Sequence, residues 1–227
     1  MLACIGYGGL LTRIFGCYRK ERTALEGATI ELIIGMGIWG WILFFIGISA
    51  NLTPLFIWLL LLPGLLALIT INRYINIQSL QNITLDRQSK KIVCLFGIFL
   101  AVLVLDFLEG LSPPADGDTL AYHAAIPKFF AIKQAIEFYP MAVDGAVPLL
   151  THLGYTSALI LGGELALTLW LMVSGWATGF LIYAFLARHT NSVFALAIAI
   201  LFLTTPAILY SGGSGHVEVR SAGFVLA

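Results

Sequence analysis

Long apolar runs separated by short polar stretches dominate this chain. Several runs approach or exceed the roughly 20 residues that a helix needs to cross a membrane. The pattern predicts six spans, at residues 2–17, 28–50, 53–72, 91–110, 164–187 and 192–211. The first span is the weakest, because it is short and carries Arg13. A last apolar run begins at Val217 and stops at Ala227, too short to cross a membrane, so we expect a longer protein with further spans.

The amino-acid composition indicates a membrane protein. With 59% hydrophobic residues, 11% charged residues and a mean hydropathy of +0.95, the chain is far more apolar than soluble proteins. The runs are too long and continuous for barrel strands, so the predicted fold is all-α, a polytopic transmembrane helix bundle. A net charge of zero indicates no nucleic-acid partner. The three cysteines lack metal-ligand spacing and are interpreted as packing residues.

Basic residues predict the orientation. Nine of the twelve fall on one side of the predicted spans, which should be the cytoplasmic side. These nine are Arg13, Arg19, Lys20, Arg22, Arg73, Arg87, Lys90, Lys91 and Arg188. The loop 111–163 and the turn 211–220 are then extracytoplasmic, and most acidic residues lie on that outer side.

The loop 111–163 contains two apolar segments of its own. Pro127 favours a helix start, and residues 128–138 form an amphipathic pattern in which Lys133 and Glu137 stack at i, i+4. The pattern predicts an extracytoplasmic helix lying in the membrane interface. The second segment, Val147 to Leu161, ends in two glycines. If it crossed the membrane, Arg188 would lie outside, so we predict a re-entrant or surface helix.

Candidate chemistry concentrates in the sequence Asp116-Gly117-Asp118. Asp118 is a candidate general base or metal-binding carboxylate, and it is also a candidate N-cap of a helix that starts at Thr119; the two roles are compatible. The two carboxylates could together hold a divalent cation through oxygen ligands, or form a solvated turn. Tyr122 follows Asp118 by one helical turn and would share its face. His123 is an acid, a ligand or a plain interface residue.

The turn 211–220 is rich in glycine and serine and carries His216, Glu218 and Arg220. Its backbone N–H groups could approach a phosphate, and Arg220 could pair with that phosphate. The alternative is a loose connection with charged residues at a helix start.

These motifs resemble a known family. The run Asp118-Thr-Leu-Ala-Tyr122-His123, followed by Pro127-Lys128 and by a span that ends at Arg188, is similar to bacterial GT-C glycosyltransferases. More narrowly, it looks like the lipid-linked-sugar transferases related to protein O-mannosyltransferases and aminoarabinose transferases. The resemblance covers residues 91–227, and residues 1–90 look like an additional N-terminal membrane module of about three spans. Thr119 departs from the family, which often carries Glu there, and the C-terminal half of such enzymes is absent.

The resemblance implies a reaction and its residues. Asp118 would be the general base in transfer of a sugar from a polyprenyl-phosphate donor to an extracytoplasmic acceptor. The implied substrate-binding residues are Asp116, Tyr122, His123, His216, Glu218 and Arg220. A divalent cation is a candidate cofactor, membrane lipid and the lipid-linked donor are the expected partners, and the expected location is the bacterial plasma membrane. The alternatives are a non-enzymatic transporter and a fragment of a structural membrane protein.

Overall fold

The structure is a computed structural model that describes residues 1–17, 22–72, 90–141 and 150–227. It is 82% helical, which confirms the predicted all-α class, and no strand occurs in those ranges. The elements are α1 (Leu2–Ile14), α2 (Ala24–Ile48), α3 (Pro54–Asn72), α4 (Lys90–Gly110), a π-helical turn (Thr119–His123), α5 (Ala125–Lys133), α6 (Leu150–His189), α7 (Ser192–Thr204), α8 (Pro206–Gly213) and α9 (Glu218–Leu226).

Three of the described helices, α2, α4 and α6, are long and apolar enough to cross a membrane. Each coincides with a predicted span. Predicted spans one, three and six correspond to shorter apolar helices, at Leu2–Ile14, Pro54–Thr70 and Ser192–Thr204. The second span begins at Ala24 rather than at 28, because the Thr23 side chain accepts a hydrogen bond from the backbone N–H of Glu26 and caps the helix there.

Helices α1, α2 and α3 pack so closely that their backbones are in contact at glycine residues. A Cβ added at Gly8 would overlap the carbonyl oxygen of Glu31, and one added at Gly35 would overlap the carbonyl oxygen of Cys4. A Cβ added at Gly6 would likewise overlap the carbonyl oxygen of Gly64. Small residues allow this approach, and close van der Waals packing is the main attraction between helices in lipid.

Helix α5 is shorter than predicted. The sequence predicts one helix over 128–138, but α5 ends at Lys133, and Gln134 adopts a left-handed conformation with φ 54°. Beyond that point the backbone bonds to the turn between α2 and α3. The N–H of Leu52 donates to the carbonyl of Gln134 at 2.9 Å, and the N–H of Ile136 donates to the carbonyl of Gly47 at 2.9 Å. These bonds replace those of a continuing helix.

The predicted apolar face of 128–138 is therefore divided. Phe130 is fully buried, whereas Ile132 is 74% and Phe138 is 65% exposed. Lys133 and Glu137 do approach each other, at 3.9 Å between Nζ and Oε2.

Helix α6 contains a break at the predicted position. Gly162 and Gly163 have non-helical dihedral angles, with φ −153° and φ 66° respectively. Residues 152–158 before the break are buried inside the protein: Trp39 of α2 donates its indole N–H to the Ser157 hydroxyl at 3.0 Å, and both residues are buried. This burial argues against the surface alternative for the segment, and the re-entrant alternative stays a prediction. The proposed start at Val147 lies outside the described residues.

The two ends of the long α6 segment carry different ion pairs. Glu164 accepts from Lys128 at 3.0 Å, and both side chains are exposed. At the other end Arg188 lies 3.3 Å from the buried Glu26 at the start of α2. The helix rises about 36 Å from Glu164 to Arg188. Arg188 and the start of α2, both predicted cytoplasmic, thus share one end of the structure. Four of the nine basic residues used for orientation, Arg19, Lys20, Arg73 and Arg87, lie outside the described residues.

Candidate functional site

The loop between α4 and α5, residues 111–124, carries Asp116 and Asp118 and is the acidic loop of this structure. It contains the π-helical turn Thr119–His123. The N–H of Ala124 donates to the carbonyl of Thr119 at 2.7 Å, five residues back, which gives the turn its wide pitch. Single π-helical turns are frequent at functional sites. Thr119 and His123 are buried, while Asp118 faces solvent. The turn therefore directs one histidine inward and leaves Asp118 on the surface.

Asp116 caps this turn. Its Oδ1 accepts a hydrogen bond from the backbone N–H of Thr119 at 2.8 Å. Asp118 occupies the position before the turn, but its side chain makes no capping hydrogen bond. The capping role considered for Asp118 thus belongs to Asp116, whose side chain is 11% exposed.

The segment 214–217 docks onto this loop. The N–H of Gly215 donates to the Thr119 hydroxyl at 2.8 Å, and the Tyr155 hydroxyl donates to the carbonyl of Gly215 at 3.2 Å. Both Ser214 and Gly215 are buried. The docking brings His216 beside the acidic loop, so this part of the predicted turn 211–220 is held in place rather than loose.

His216 lies between two carboxylates. Its Nε2 is 3.6 Å from Oδ1 of Asp116, and its Nδ1 is 3.7 Å from Oε2 of Glu218. Asp116 and His216 are largely buried, whereas the Glu218 side chain is 69% exposed. The imidazole therefore links a sheltered carboxylate to one in contact with solvent.

A second histidine contact extends the cluster into the protein. His123 Nδ1 lies 2.8 Å from His152 Nε2, and both residues are buried. The ring of His123 is also 5.1 Å from the ring of His216, centre to centre. Burial lowers the pKa of His123, nearby His216 and Arg220 lower it further, and the carboxylates of Glu218 and Asp116 oppose them. His123 is therefore held as the neutral imidazole.

Arg220 is buried beneath the histidines. Its Nε donates to the Ser174 hydroxyl at 2.6 Å, and one terminal nitrogen donates to the carbonyl of Leu171 at 2.7 Å. The other terminal nitrogen donates to the carbonyl of His216. The guanidinium also lies 5.6 Å from the centre of the Tyr155 ring. A dense set of contacts thus fixes the cation that the sequence placed in a flexible turn.

An apolar cavity of about 350 Å³ lies on the other side of Arg220. Arg220 and Ser174 contribute polar atoms to a wall that is otherwise largely apolar. The remaining lining residues are Met36, Gly37, Trp41, Leu150, Thr151, Gly154, Trp170 and Phe224. Because Trp41 and Phe224 are 52% and 41% exposed, the cavity reaches the protein surface between α2 and α9.

Most of the predicted site residues therefore come together. Asp116, His123, His216, Glu218 and Arg220 form one connected cluster, and Tyr122 touches it, with its ring 4.1 Å from that of His123. Asp118 does not join it. In the described part of the chain no group of three or more His, Cys, Asp or Glu side chains is arranged to hold a metal ion.

Sequence reasoning missed His152 and Tyr155. Both lie in the apolar segment 150–161, and a titratable side chain inside such a segment is itself a signal of function.

No family model, curated protein or solved structure matches this chain. The site is therefore interpreted from its own geometry.

Proposed function

We propose that this chain acts as a membrane glycosyltransferase, which moves a sugar from a polyprenyl-phosphate donor to an extracytoplasmic acceptor at the bacterial plasma membrane. The observation that carries the proposal is Arg220, a buried cation that lines an apolar cavity and donates a hydrogen bond to the carbonyl of His216. An apolar tail and an anionic headgroup match these two features.

The donor would use both parts of this site. Its isoprenoid chain would enter between Trp41 and Phe224, where the apolar wall excludes water. Its phosphate would be attracted by the charge of Arg220, because an ionic interaction is stronger in an apolar surrounding than in water. The fixed guanidinium would need little reorganisation when the phosphate charge increases as the sugar departs.

The geometry favours Asp116 over Asp118 as the general base. A base must lie beside the bound acceptor, and Asp116 is sheltered, held by Thr119 and adjacent to His216. It would take the proton of the acceptor hydroxyl while the acceptor oxygen bonds to the anomeric carbon and the bond from that carbon to the phosphate oxygen breaks. The resemblance to GT-C enzymes assigns this role to Asp118, which is exposed.

Lipid binding can be tested without knowledge of the sugar. The purified protein in nanodiscs should gain thermal stability from a polyprenyl phosphate, but not from the matching uncharged polyprenol or from inorganic phosphate. Gly37→Leu should abolish this gain, because Gly37 lines the cavity and a Cβ there lies 3.0 Å from the Phe224 ring. Gly27→Leu, also on α2, is the matched control, since no atom lies within 4 Å of its Cβ position. Equal stabilisation by polyprenol, or by polyprenyl phosphate in Gly37→Leu, would refute the proposed donor site.

The base is tested by two neighbouring variants of the full-length protein. With a polyprenyl-phosphate sugar as donor, Asp116→Asn should lower kcat by about 10²–10⁴, the usual loss for a general base, and Asp118→Asn should change it by less than about tenfold. The reverse order would return the role to Asp118. Full activity in both variants would remove the carboxylate mechanism.

One structural observation bears on the transporter alternative. Transporters place broken helices and ionisable groups near the membrane midplane. Helix α6 is broken, and His152 and Arg220 are buried. The break itself is exposed, however, and Glu164 beside it forms an exposed ion pair with Lys128. An exposed break beside an exposed ion pair suits a surface reaction better than a pathway across the membrane.

A further inference from the structure

In the contact between His123 and His152, each ring has one nitrogen that faces the other ring and one nitrogen that does not. The nitrogens that face each other are Nδ1 of His123 and Nε2 of His152, 2.8 Å apart. The remaining nitrogens, Nε2 of His123 and Nδ1 of His152, are both buried and have no hydrogen-bond partner in the part of the chain that the structure describes. Buried polar atoms of this kind are rare and call for an explanation, because each loses its hydrogen bonds to water without gaining others in return.

The tautomers of the pair are coupled. A neutral imidazole carries one N–H and one lone pair. If His123 donates from Nδ1, its Nε2 is a lone pair and His152 carries its own proton on Nδ1. If His152 donates from Nε2, then His123 Nε2 carries the proton and His152 Nδ1 is the lone pair. In either state the pair presents one donor at one end and one acceptor at the other.

We propose that His123 and His152 form a buried proton relay, with His152 as the positioning residue that sets the tautomer of His123. A proton bonds to His123 Nε2, the proton on His123 Nδ1 passes to His152 Nε2, and the proton on His152 Nδ1 leaves. Each ring is neutral before and after the transfer. The pair returns to its first state when a proton moves in the opposite direction.

The surroundings favour transfer through neutral rings. The groups that face His123 are His216, Asp116, Glu218 and Arg220, together with the ring of Tyr122. His152 faces His123 and the ring of Tyr155, and Arg220 acts on it electrostatically. The buried cation of Arg220 disfavours a second positive charge nearby, so the pair can move a proton but not store one at neutral pH.

A role for the relay in the proposed reaction rests on the proposed function. His216 neighbours Asp116, and its ring lies 5.1 Å from the ring of His123. A proton that leaves Asp116 through His216 would be taken up at His123 Nε2 while another is released from His152 Nδ1.

Nitrogen NMR of the full chain tests the relay without any substrate. The chain has four histidines, so labelling with ¹⁵N-histidine gives a small set of signals. In nanodiscs at pH 7.5, His123 and His152 should each carry one proton and show a scalar coupling across the hydrogen bond between His123 Nδ1 and His152 Nε2. On acidification the pair should bind one proton well before a second, because two adjacent imidazolium groups repel each other.

Two variants complete the test. His152→Gln should remove the coupling and change the tautomer ratio of His123, whereas His189→Gln, at an exposed position at the end of α6, should leave both unchanged. Independent titration of both rings near pH 6.5 without coupling in the wild type, or an unchanged tautomer ratio in His152→Gln, would overturn the relay. Absence of sugar transfer by the wild type would instead overturn the proposed function, and the NMR result would still decide the relay.

Discussion

The backbone N–H of Gly215 donates a hydrogen bond of 2.8 Å to the hydroxyl of Thr119, a residue 96 positions earlier in the chain. Both residues are buried, and Tyr155 holds the carbonyl of the same glycine. This contact determines how closely His216 approaches Asp116 and His123. The integrity of the whole cluster therefore depends on close packing at Gly215.

Gly215→Ala should destabilise the protein. A Cβ at this position would lie 2.5 Å from the Cβ of His123 and 3.1 Å from the Thr119 hydroxyl. Overpacking of a buried contact typically costs about 1–3 kcal/mol, which corresponds to a fall in Tm of about 2–12 °C for a chain of this size. Thermal unfolding in nanodiscs measures it. Gly117→Ala is the control in the same loop, because its Cβ position has no atom within 4 Å. An unchanged Tm for Gly215→Ala would mean that segment 214–217 is not docked as described.

The stability of the protein should fall in mild acid. The pKa of His123 lies below its ordinary value of 6.5 in the folded protein, chiefly because the side chain is buried. The unfolded chain then binds more protons than the folded one, so the stability contribution is complete above about pH 6.5 and is lost as the pH falls through the folded pKa. We expect Tm to decrease between pH 8 and pH 5.

Measurement of Tm against pH in two histidine variants shows whether His123 causes the loss of stability in acid. His123→Gln should flatten the dependence of Tm on pH, and His189→Gln, at an exposed position, should leave it unchanged. A Tm that rises on acidification would show that His123 gains a charge partner rather than losing solvation.

Accessibility from outside the cell tests the orientation predicted from the basic residues. In a background with Cys17→Ser and Cys94→Ser, which removes the two exposed thiols, a single cysteine is introduced by Ser112→Cys or by Thr190→Cys. Both positions are exposed. A membrane-impermeant maleimide should label position 112 on intact cells and position 190 only after permeabilisation. The opposite pattern would place the acidic loop in the cytoplasm and remove the extracytoplasmic acceptor from the proposal.

Helix positions were predictable because they depend on local pattern. Apolar runs located α2, α4 and the long segment of α6, and the pair Gly162-Gly163 located the break. The end of α5 was not predictable, because it depends on hydrogen bonds to the turn between α2 and α3, which is about 80 residues away in the chain. Amphipathic periodicity alone continues past Lys133 and contains no information on that partner.

The candidate site was also predictable from the sequence only in part. Loop composition identified Asp116, His123, His216 and Arg220 as candidates, since charged and titratable residues are scarce in this chain. Sequence spacing could not show that the wide turn after Asp118 leaves that carboxylate exposed while Asp116 accepts the Thr119 N–H. Nor could it pair His152 with His123, because the two residues are 29 positions apart and sequence periodicity does not show which side chains of a loop and a later helix meet.

The glycine contacts among α1, α2 and α3 have a consequence for the order of assembly. Gly6, Gly8 and Gly35 meet backbone atoms of neighbouring helices, and these three helices lie within the first 72 residues. Their association therefore requires nothing synthesised later, and it can be complete in the membrane while the ribosome is still producing the acidic loop. When residues 134–136 emerge, they then form their hydrogen bonds with Gly47 and Leu52, which are already in place. Any substitution at Gly8 or Gly35 should accordingly act early, as a failure of biogenesis, rather than as a loss of activity in the mature protein.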